Sequence, residues 1–173
     1  MDNPENIAAY SLKDLIKPNM IVCEIGVRSG QSSEMFLELG CFVNMIDPWE
    51  KYEGIDDENY RFEEDYENTL KRIERFKNQY KIFRSKSDEV LNDIPNGSLD
   101  LVYIDGNHAY EFVKRDITCW WFKIKEGGYI AGDDWAMENV ARGLLEAILV
   151  ISETNFPLKI SYKGRNWIIQ KND

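Results

Sequence analysis

Val22-Cys23-Glu24-Ile25-Gly26-Val27-Arg28-Ser29-Gly30, followed one helix and one strand later by Met45-Ile46-Asp47, decides the fold. An apolar strand runs into an acid, then into a loop with glycines at 26 and 30, then into a helix. A second strand ends in another acid. In a doubly wound α/β sheet this is the arrangement that binds the adenosine part of a cofactor. Gly26 is expected to let the backbone turn and approach a ligand with no Cβ in the way. Asp47 stands where a carboxylate can accept from both ribose hydroxyls. The spacing departs from the dinucleotide pattern, which packs three glycines as G-x-G-x-x-G. A looser E-x-G-x-x-x-G turn opened by an acid suits a cationic, phosphate-free cofactor better than a pyrophosphate.

Working outward, 173 residues of which 43% are apolar suit one globular domain, with a lead-in over residues 1–19 and a core over 20–171. The net charge of −10 repels a phosphate backbone, so nucleic acid is not an expected partner. The densest basic stretch, Lys71-Arg72 to Lys77, is interrupted by Glu74 and reads as a solvated helix face. Cys23, Cys41 and Cys119 have neither metal nor redox spacing and fit a reducing cytoplasm. Met-Asp-Asn-Pro-Glu at the start has no basic, apolar leader pattern, and no apolar run reaches membrane-spanning length.

Periodicity predicts a short amphipathic helix over 7–16 and a strand over 20–25. A helix over 31–39 follows, stopped by Gly40, then a strand over 41–47. Residues 48–57 are acidic and aromatic without a period. Phe62, Tyr66, Leu70, Ile73 and Phe76 recur at helical spacing within 59–79. A strand over 80–84, a short helix over 87–91 and a turn at Pro95-Asn96-Gly97-Ser98 come next. The nearly all-apolar strand over 99–104 reads as central. A helix over 108–123, a Gly127-Gly128 turn, a strand over 129–132 and a helix over 138–152 complete the alternation. Residues 158–162 and 166–170 form a closing strand pair around Lys163-Gly164-Arg165. The fold class is therefore α/β and Rossmann-like: a doubly wound, mostly parallel seven-stranded sheet with an antiparallel end and helices on both faces.

Two further strand ends carry acids: Tyr103-Ile104-Asp105-Gly106-Asn107-His108 and Ala131-Gly132-Asp133-Asp134-Trp135. In a parallel sheet both lie on the edge that holds the cofactor loop. Asp105, Asp133 and Asp134 should converge there. Three carboxylates together repel unless a cation neutralises them, and oxygen-only ligands suit magnesium, manganese or calcium. The plainer alternative makes Asp105 a helix-start residue and Asp133-Asp134 a turn. His108 is the chain's single histidine. Three residues beyond Asp105 it is either a cap or a base suited to taking a proton from a hydroxyl near neutral pH.

The glycine loop and Asp47 resemble motif I of the class I S-adenosylmethionine-dependent methyltransferases. The run Ile-Asp-Gly-Asn-His-Ala-Tyr-Glu, with Val113, Asp116, Trp120, Lys125, Gly127-Gly128 and Gly132-Asp133-Asp134, resembles methyltransferase family 24. Its relatives include macrocin-type sugar O-methyltransferases and cephalosporin-hydroxylase-like proteins. The resemblance spans residues 20–171. It implies that Glu24, Gly26, Arg28, Ser29 and Gly30 wrap the methionine end of the cofactor. Asp47 would bind ribose, flanked by Pro48 and Trp49, and Ser87 would reach the adenine edge. For Ser87 a helix cap is the alternative; for Trp49 and Tyr52, a place in the core. By similarity to the more distant catechol O-methyltransferases, Asp105, Asp133 and Asp134 would hold Mg2+, Mn2+ or Ca2+, with Asp133 matched less well than Asp134. His108 or Asp105 would remove the acceptor proton. Trp135 is a candidate substrate wall; Trp120 and Trp121 belong to the core. The expected acceptor is a hydroxyl of a sugar, glycan or glycosylated small molecule, covered by residues 48–59, the lead-in helix or a partner copy. Ile160, Tyr162 and Trp167 could form a homo-oligomer interface or simply finish the sheet. Two other readings are a non-catalytic cofactor-binding module and, against the glycine spacing, a nicotinamide-dependent oxidoreductase.

Overall fold

A computed structural model describes residues 6–51, 61–153 and 158–172. The strands are β1 (Ile21–Ile25), β2 (Phe42–Ile46), β3 (Tyr80–Phe83), β4 (Leu99–Ile104), β5 (Ile124–Gly132), β6 (Leu158–Lys163) and β7 (Asn166–Lys171). They form one sheet in the order β3-β2-β1-β4-β5-β7-β6. The first five pair in parallel, and β7 runs antiparallel between β5 and β6. This is the doubly wound, mostly parallel seven-stranded sheet with an antiparallel end that the sequence predicts.

Four α-helices cover the two faces: α1 (Gln31–Glu38), α2 (Phe62–Ile73), α3 (Tyr110–Trp120) and α4 (Glu138–Ser152). Alternation along each strand divides the core. Cys23, Ile25, Val102, Ile104 and Ile130 point one way and pack with Ile117 and Trp120 of α3 and Leu144 and Ile151 of α4. Val22, Val43, Met45, Leu101 and Tyr103 point the other way, against Phe36 of α1, Ile73 of α2 and Leu12. A strand has a period of two, so each helix pair has its own apolar surface to bury. Trp120 and Trp121 are fully buried, as expected.

Several boundaries moved for physical reasons. The lead-in is a 3-10 helix over Ala8–Leu15, not an α-helix. Its three-residue turn stacks Ala9 and Leu12 on one buried stripe. The second long helix is shorter than predicted and ends in a 3-10 turn at Glu74–Phe76. Residues 59 and 60 lie outside the described segments. The expected helix at 87–91 is a turn leading into a 3-10 segment at Leu91–Asp93. Gly127-Gly128 lies within β5, yet the predicted turn has a counterpart. Pairing jumps from Leu99↔Ile124 to Leu101↔Tyr129, so the glycines fall in an irregularity of the ladder.

β7 is placed by one close approach. Gly132 pairs with Trp167, and a Cβ on Gly132 would lie 2.4 Å from the Trp167 ring. Trp167 is buried and finishes the sheet, whereas Ile160 and Tyr162 on β6 are exposed. No helix among the described residues is long and apolar enough to cross a membrane.

Candidate functional site

All the strand ends singled out in the sequence meet at one edge of the sheet. There a cavity of about 580 Å3 is lined by Glu24, Gly26, Arg28, Ser29, Asp105, His108, Asp133 and Asp134. Asn6 and Ala8 of the lead-in also line it, so that segment contributes to the cover. Of the alternative cover, residues 52–60 lie outside the described segments, Tyr52 among them.

Gly26 is needed for a reason other than the one expected. Its φ is +87°, and an added Cβ would lie 2.3 Å from the Asp105 carbonyl oxygen. The glycine lets the β1 loop press against the end of β4; the close approach is to backbone. Glu24 is buried and accepts a hydrogen bond from the Ser33 hydroxyl. Burial pushes its carboxyl well above the usual range, and Asp105 and Asp47 add to the push.

Asp47 locks the loop. Its Oδ2 accepts from the amides of Val27 and Arg28, both at 2.9 Å, and its Oδ1 from the amide of Trp49 at 2.8 Å. An ionised carboxylate offers about four lone-pair sites, so little capacity remains for two ribose hydroxyls. Trp49 turns away from the cofactor edge, contrary to the flanking role suggested for it. Its indole packs on Tyr66 with ring centroids 4.9 Å apart, and its Nε1 donates to the Arg28 carbonyl at 2.7 Å. It is a core residue behind the loop, although Pro48 does face the edge.

Asp47, Pro48, Ser87, Arg115 and Asp116 line a second, smaller cavity beside the β1 loop. The Ser87 hydroxyl donates to Asp116 Oδ1 at 2.7 Å and does not cap a helix. Burial raises the Asp116 carboxyl to about 6, against the opposing effects of Ser87 and Arg115.

On the other side of the cavity the acids converge, but not as a metal site. Arg165, at the turn between β6 and β7, holds both members of the acid pair. Its Nε lies 2.7 Å from Asp133 Oδ1, its Nη2 2.6 Å from Asp133 Oδ2, and the same Nη2 2.8 Å from Asp134 Oδ1. A guanidinium so placed fills the role the sequence reading gave to a divalent cation. Among the described residues no group of three or more His, Cys, Asp or Glu side chains is arranged to hold a metal ion. As arranged, Asp105, Asp133 and Asp134 do not fit Mg2+, Mn2+ or Ca2+. A second cation at Asp133 would face an existing positive charge at contact distance, where like charges repel by several kcal/mol even at an effective dielectric of about 20.

His108 lies between the remaining carboxylates. Its Nε2 is 3.5 Å from Asp105 Oδ1 and its Nδ1 is 3.7 Å from Asp134 Oδ2. Both exceed ordinary hydrogen-bond lengths, a common state for catalytic groups without ligands. Interaction with Asp105 raises the imidazole above its usual 6.5; burial opposes this, and Asp134 and Asp133 add to the rise. Desolvation raises Asp105, although His108 pulls it back. Burial and then the Asp105 charge raise Asp133 to about 6, which leaves it ionised at neutral pH. His108 sits in a loop and not in α3, because the Asn107 side chain accepts from the Ala109 amide at 2.8 Å and starts the helix at Tyr110.

Two assignments change. Trp135 does not line the cavity: it clamps the hairpin turn, donating from Nε1 to the Gly164 carbonyl at 3.1 Å and packing on Tyr162. Arg165 was missed because its partners are 31 and 32 positions away, and one arginine in a turn carries no spacing signal.

The sequence profile of the Methyltransf_24 methyltransferase-domain family matches residues 23–135. The chain belongs to this family. Two curated relatives are themselves uncharacterized proteins. One, from Acanthamoeba polyphaga mimivirus, is 31% identical over 76% of this chain and 57% of its own length. The other, from Sinorhizobium fredii, is 26% identical over 82% of this chain and 16% of its own. The chain thus spans little more than half of one and a small part of the other. Among solved structures, a caffeoyl-CoA O-methyltransferase-like protein from Staphylococcus aureus has a TM-score of 0.66 at 17% identity, covering 94% of this chain and 81% of that one. A precorrin-6y C5,15-methyltransferase from Geobacter metallireducens has a TM-score of 0.64 at 15% identity, covering 96% and 87%. Likeness at these identities shows the fold, and a shared fold does not fix the acceptor. The family profile and the fold together make this a class I S-adenosylmethionine-dependent methyltransferase domain.

Proposed function

We propose that this domain transfers a methyl group to a hydroxyl oxygen of a sugar, glycan or glycosylated small molecule, with His108 as the base that receives the hydroxyl proton. One observation carries the reading: His108 stands between Asp105 and Asp134 on the wall of the cavity that also holds the β1 loop. S-adenosylmethionine, when bound, supplies an electrophilic methyl on a positively charged sulfur. Glu24, Gly26, Ser29, Gly30 and Asp105 would hold its methionine end, with Asp47, Pro48 and Ser87 toward the nucleoside. The acidic wall favours a cationic donor over a phosphate-bearing one. Asp105 orients the imidazole and stabilises its protonated form, as an acid beside a catalytic histidine does. Holding the acceptor oxygen in line with the methyl supplies much of the rate. The chain's net charge disfavours phosphate-rich acceptors. Sugar hydroxyls are supported by the family resemblance alone.

The test is production of S-adenosylhomocysteine across a panel of glycosides and catechols. We expect turnover with a glycoside, and His108→Gln should lower kcat by about 100-fold or more, the range for loss of a general base. Equal turnover by His108→Gln and wild type would refute the base. A second reading is favoured by the longer relatives: the domain binds the methyl donor inside a larger protein without catalysing transfer. Donor binding in calorimetry without turnover on any acceptor would support it.

A further inference from the structure

We infer that Arg165 is the resident cation of this site. It occupies the acid pair that a divalent ion would need, and through Asp134 it positions His108 with no metal taking part. Only the word "base" for His108 rests on the function proposed above; the exclusion of a metal stands on geometry.

The argument begins with charge. Asp133, Asp134 and Asp105 bring three negative charges to one sheet edge, and Asp133 is nearly without solvent contact. A buried carboxylate requires a partner. Arg165 donates one hydrogen bond to Asp133, from Nε to Oδ1 at 2.7 Å, and its Nη2 lies 2.6 Å from Oδ2 as a charge contact without hydrogen-bond geometry. Its Nη2 also holds Asp134 Oδ1, which leaves the other oxygen of Asp134 toward His108 Nδ1. The order of groups is Arg165–Asp134–His108–Asp105: a hydrogen bond joins Arg165 to Asp134, and charge attraction at 3.7 and 3.5 Å acts on His108 from its two sides.

The hairpin that carries Arg165 is fixed at its base and its tip. Gly164 takes φ +59° in the two-residue turn between Lys163 and Asn166. The Trp135 amide donates to the Arg165 carbonyl at 3.3 Å. Ser11 donates to the Lys163 carbonyl at 2.8 Å, Lys163 pairs with Asp14 at 2.6 Å, and Asn166 donates to the Ala8 carbonyl at 2.8 Å. Asp134 itself has φ +53°, an uncommon conformation for a residue with a side chain. The turn and the acid pair are thus held in fixed relation, as a site that relies on a built-in cation needs. Arg165 is a positioning residue: it acts on the acceptor through Asp134 and His108.

Mn2+ is the probe, read by electron paramagnetic resonance and by the imidazole proton signals of His108, which is unambiguous as the single histidine. Wild-type protein should show no saturable Mn2+ site up to about millimolar metal and no selective broadening of the His108 signals, since ligand charge count sets the affinity of an oxygen site and the guanidinium offsets part of the charge of the acid pair. Arg165→Met should acquire one site per chain, at least about tenfold tighter than wild type, with broadening at His108. Adding Asp133→Asn should remove that site, and Arg165→Lys should restore exclusion of the metal. Calorimetry with S-adenosylmethionine and a cooperative urea transition confirm that each variant is folded. Stoichiometric Mn2+ binding by wild type that broadens His108 and disappears in Asp133→Asn would overturn the inference, whether or not the arginine variants fold. So would a folded Arg165→Met that gains no affinity. A failure of methyl transfer leaves these outcomes untouched and counts only against the proposed function.

Discussion

The loop after β1 and the turn between β6 and β7 both border the same cavity, but they are held in opposite ways. The β1 loop is tied to residues 19 to 41 positions away, within the first half of the chain. Asp47 takes the amides of Val27, Arg28 and Trp49, while Thr69 and Trp49 donate to the Arg28 carbonyl. The β6–β7 turn is tied to the far end of the chain, through Ser11, Asp14 and Ala8, across about 150 positions. The loop side of the cavity is held by hydrogen bonds onto the backbone around Arg28. The side that carries the acid pair exists only when β4, β5, the hairpin and the N-terminal 3-10 helix have come together. Damage to the first should remove donor binding. Damage to the second should spare donor binding and remove acceptor chemistry.

Gly26→Val is the most severe way to break this contrast. A β-branched residue at φ +87° is strained, and its Cβ would collide with the Asp105 backbone. The expected loss exceeds about 4 kcal/mol, the range reserved for named structural faults. It should appear as little or no folded protein in urea titration, and a folded variant that binds S-adenosylmethionine normally would contradict the account of the loop. Trp167→Ala comes next. The indole is buried under Gly132 and fixes β7, and hence Arg165, against β5. A cost of about 3–5 kcal/mol is expected from burial alone. At temperatures where the variant is folded, donor affinity should survive while turnover falls. Parallel loss of both would show that the two halves are one unit.

The smallest effect sharpens the comparison through pH. The base works when neutral, and Asp105 holds the His108 imidazole above 6.5. The rate should therefore climb with rising pH to a half-maximum above 6.5. Asp105→Asn should move that limb downward as well as slowing the reaction. The same shift has a sign for stability. The protonated imidazole is favoured in the folded state, so its contribution is complete below the unfolded pKa and disappears as pH rises through the folded one. Stability–pH curves of wild type and His108→Gln should diverge below neutrality, with wild type the more stable.

The contrast also explains what could be read early. Strand and helix order followed from period-two and period-3.6 patterns, and the strand ends at Glu24, Asp47, Asp105 and Asp133 were placed correctly by parallel-sheet topology. For Trp49 the sequence left the cofactor edge and the core both open, because its position after Asp47 says nothing about which way its ring turns. At φ +44°, with its amide on Asp47, the backbone carries the indole into the core. Trp135 was misread for the same reason. α3 starts two residues later than predicted, at Tyr110, because Asn107 accepts from the Ala109 amide and holds residues 107–109 in a turn ahead of the helix.

The sequence alone determined the order of elements, the parallel sheet and the edge on which the acids of the strand ends meet. Each follows from spacing between near neighbours, and spacing is what a linear chain displays. Tertiary structure alone decided that Arg165 pairs with both Asp133 and Asp134. It also decided that the lead-in helix buttresses the hairpin. These depend on which side chains meet across a folded sheet, where short-range charge and close packing decide the partner and distance along the chain has no influence.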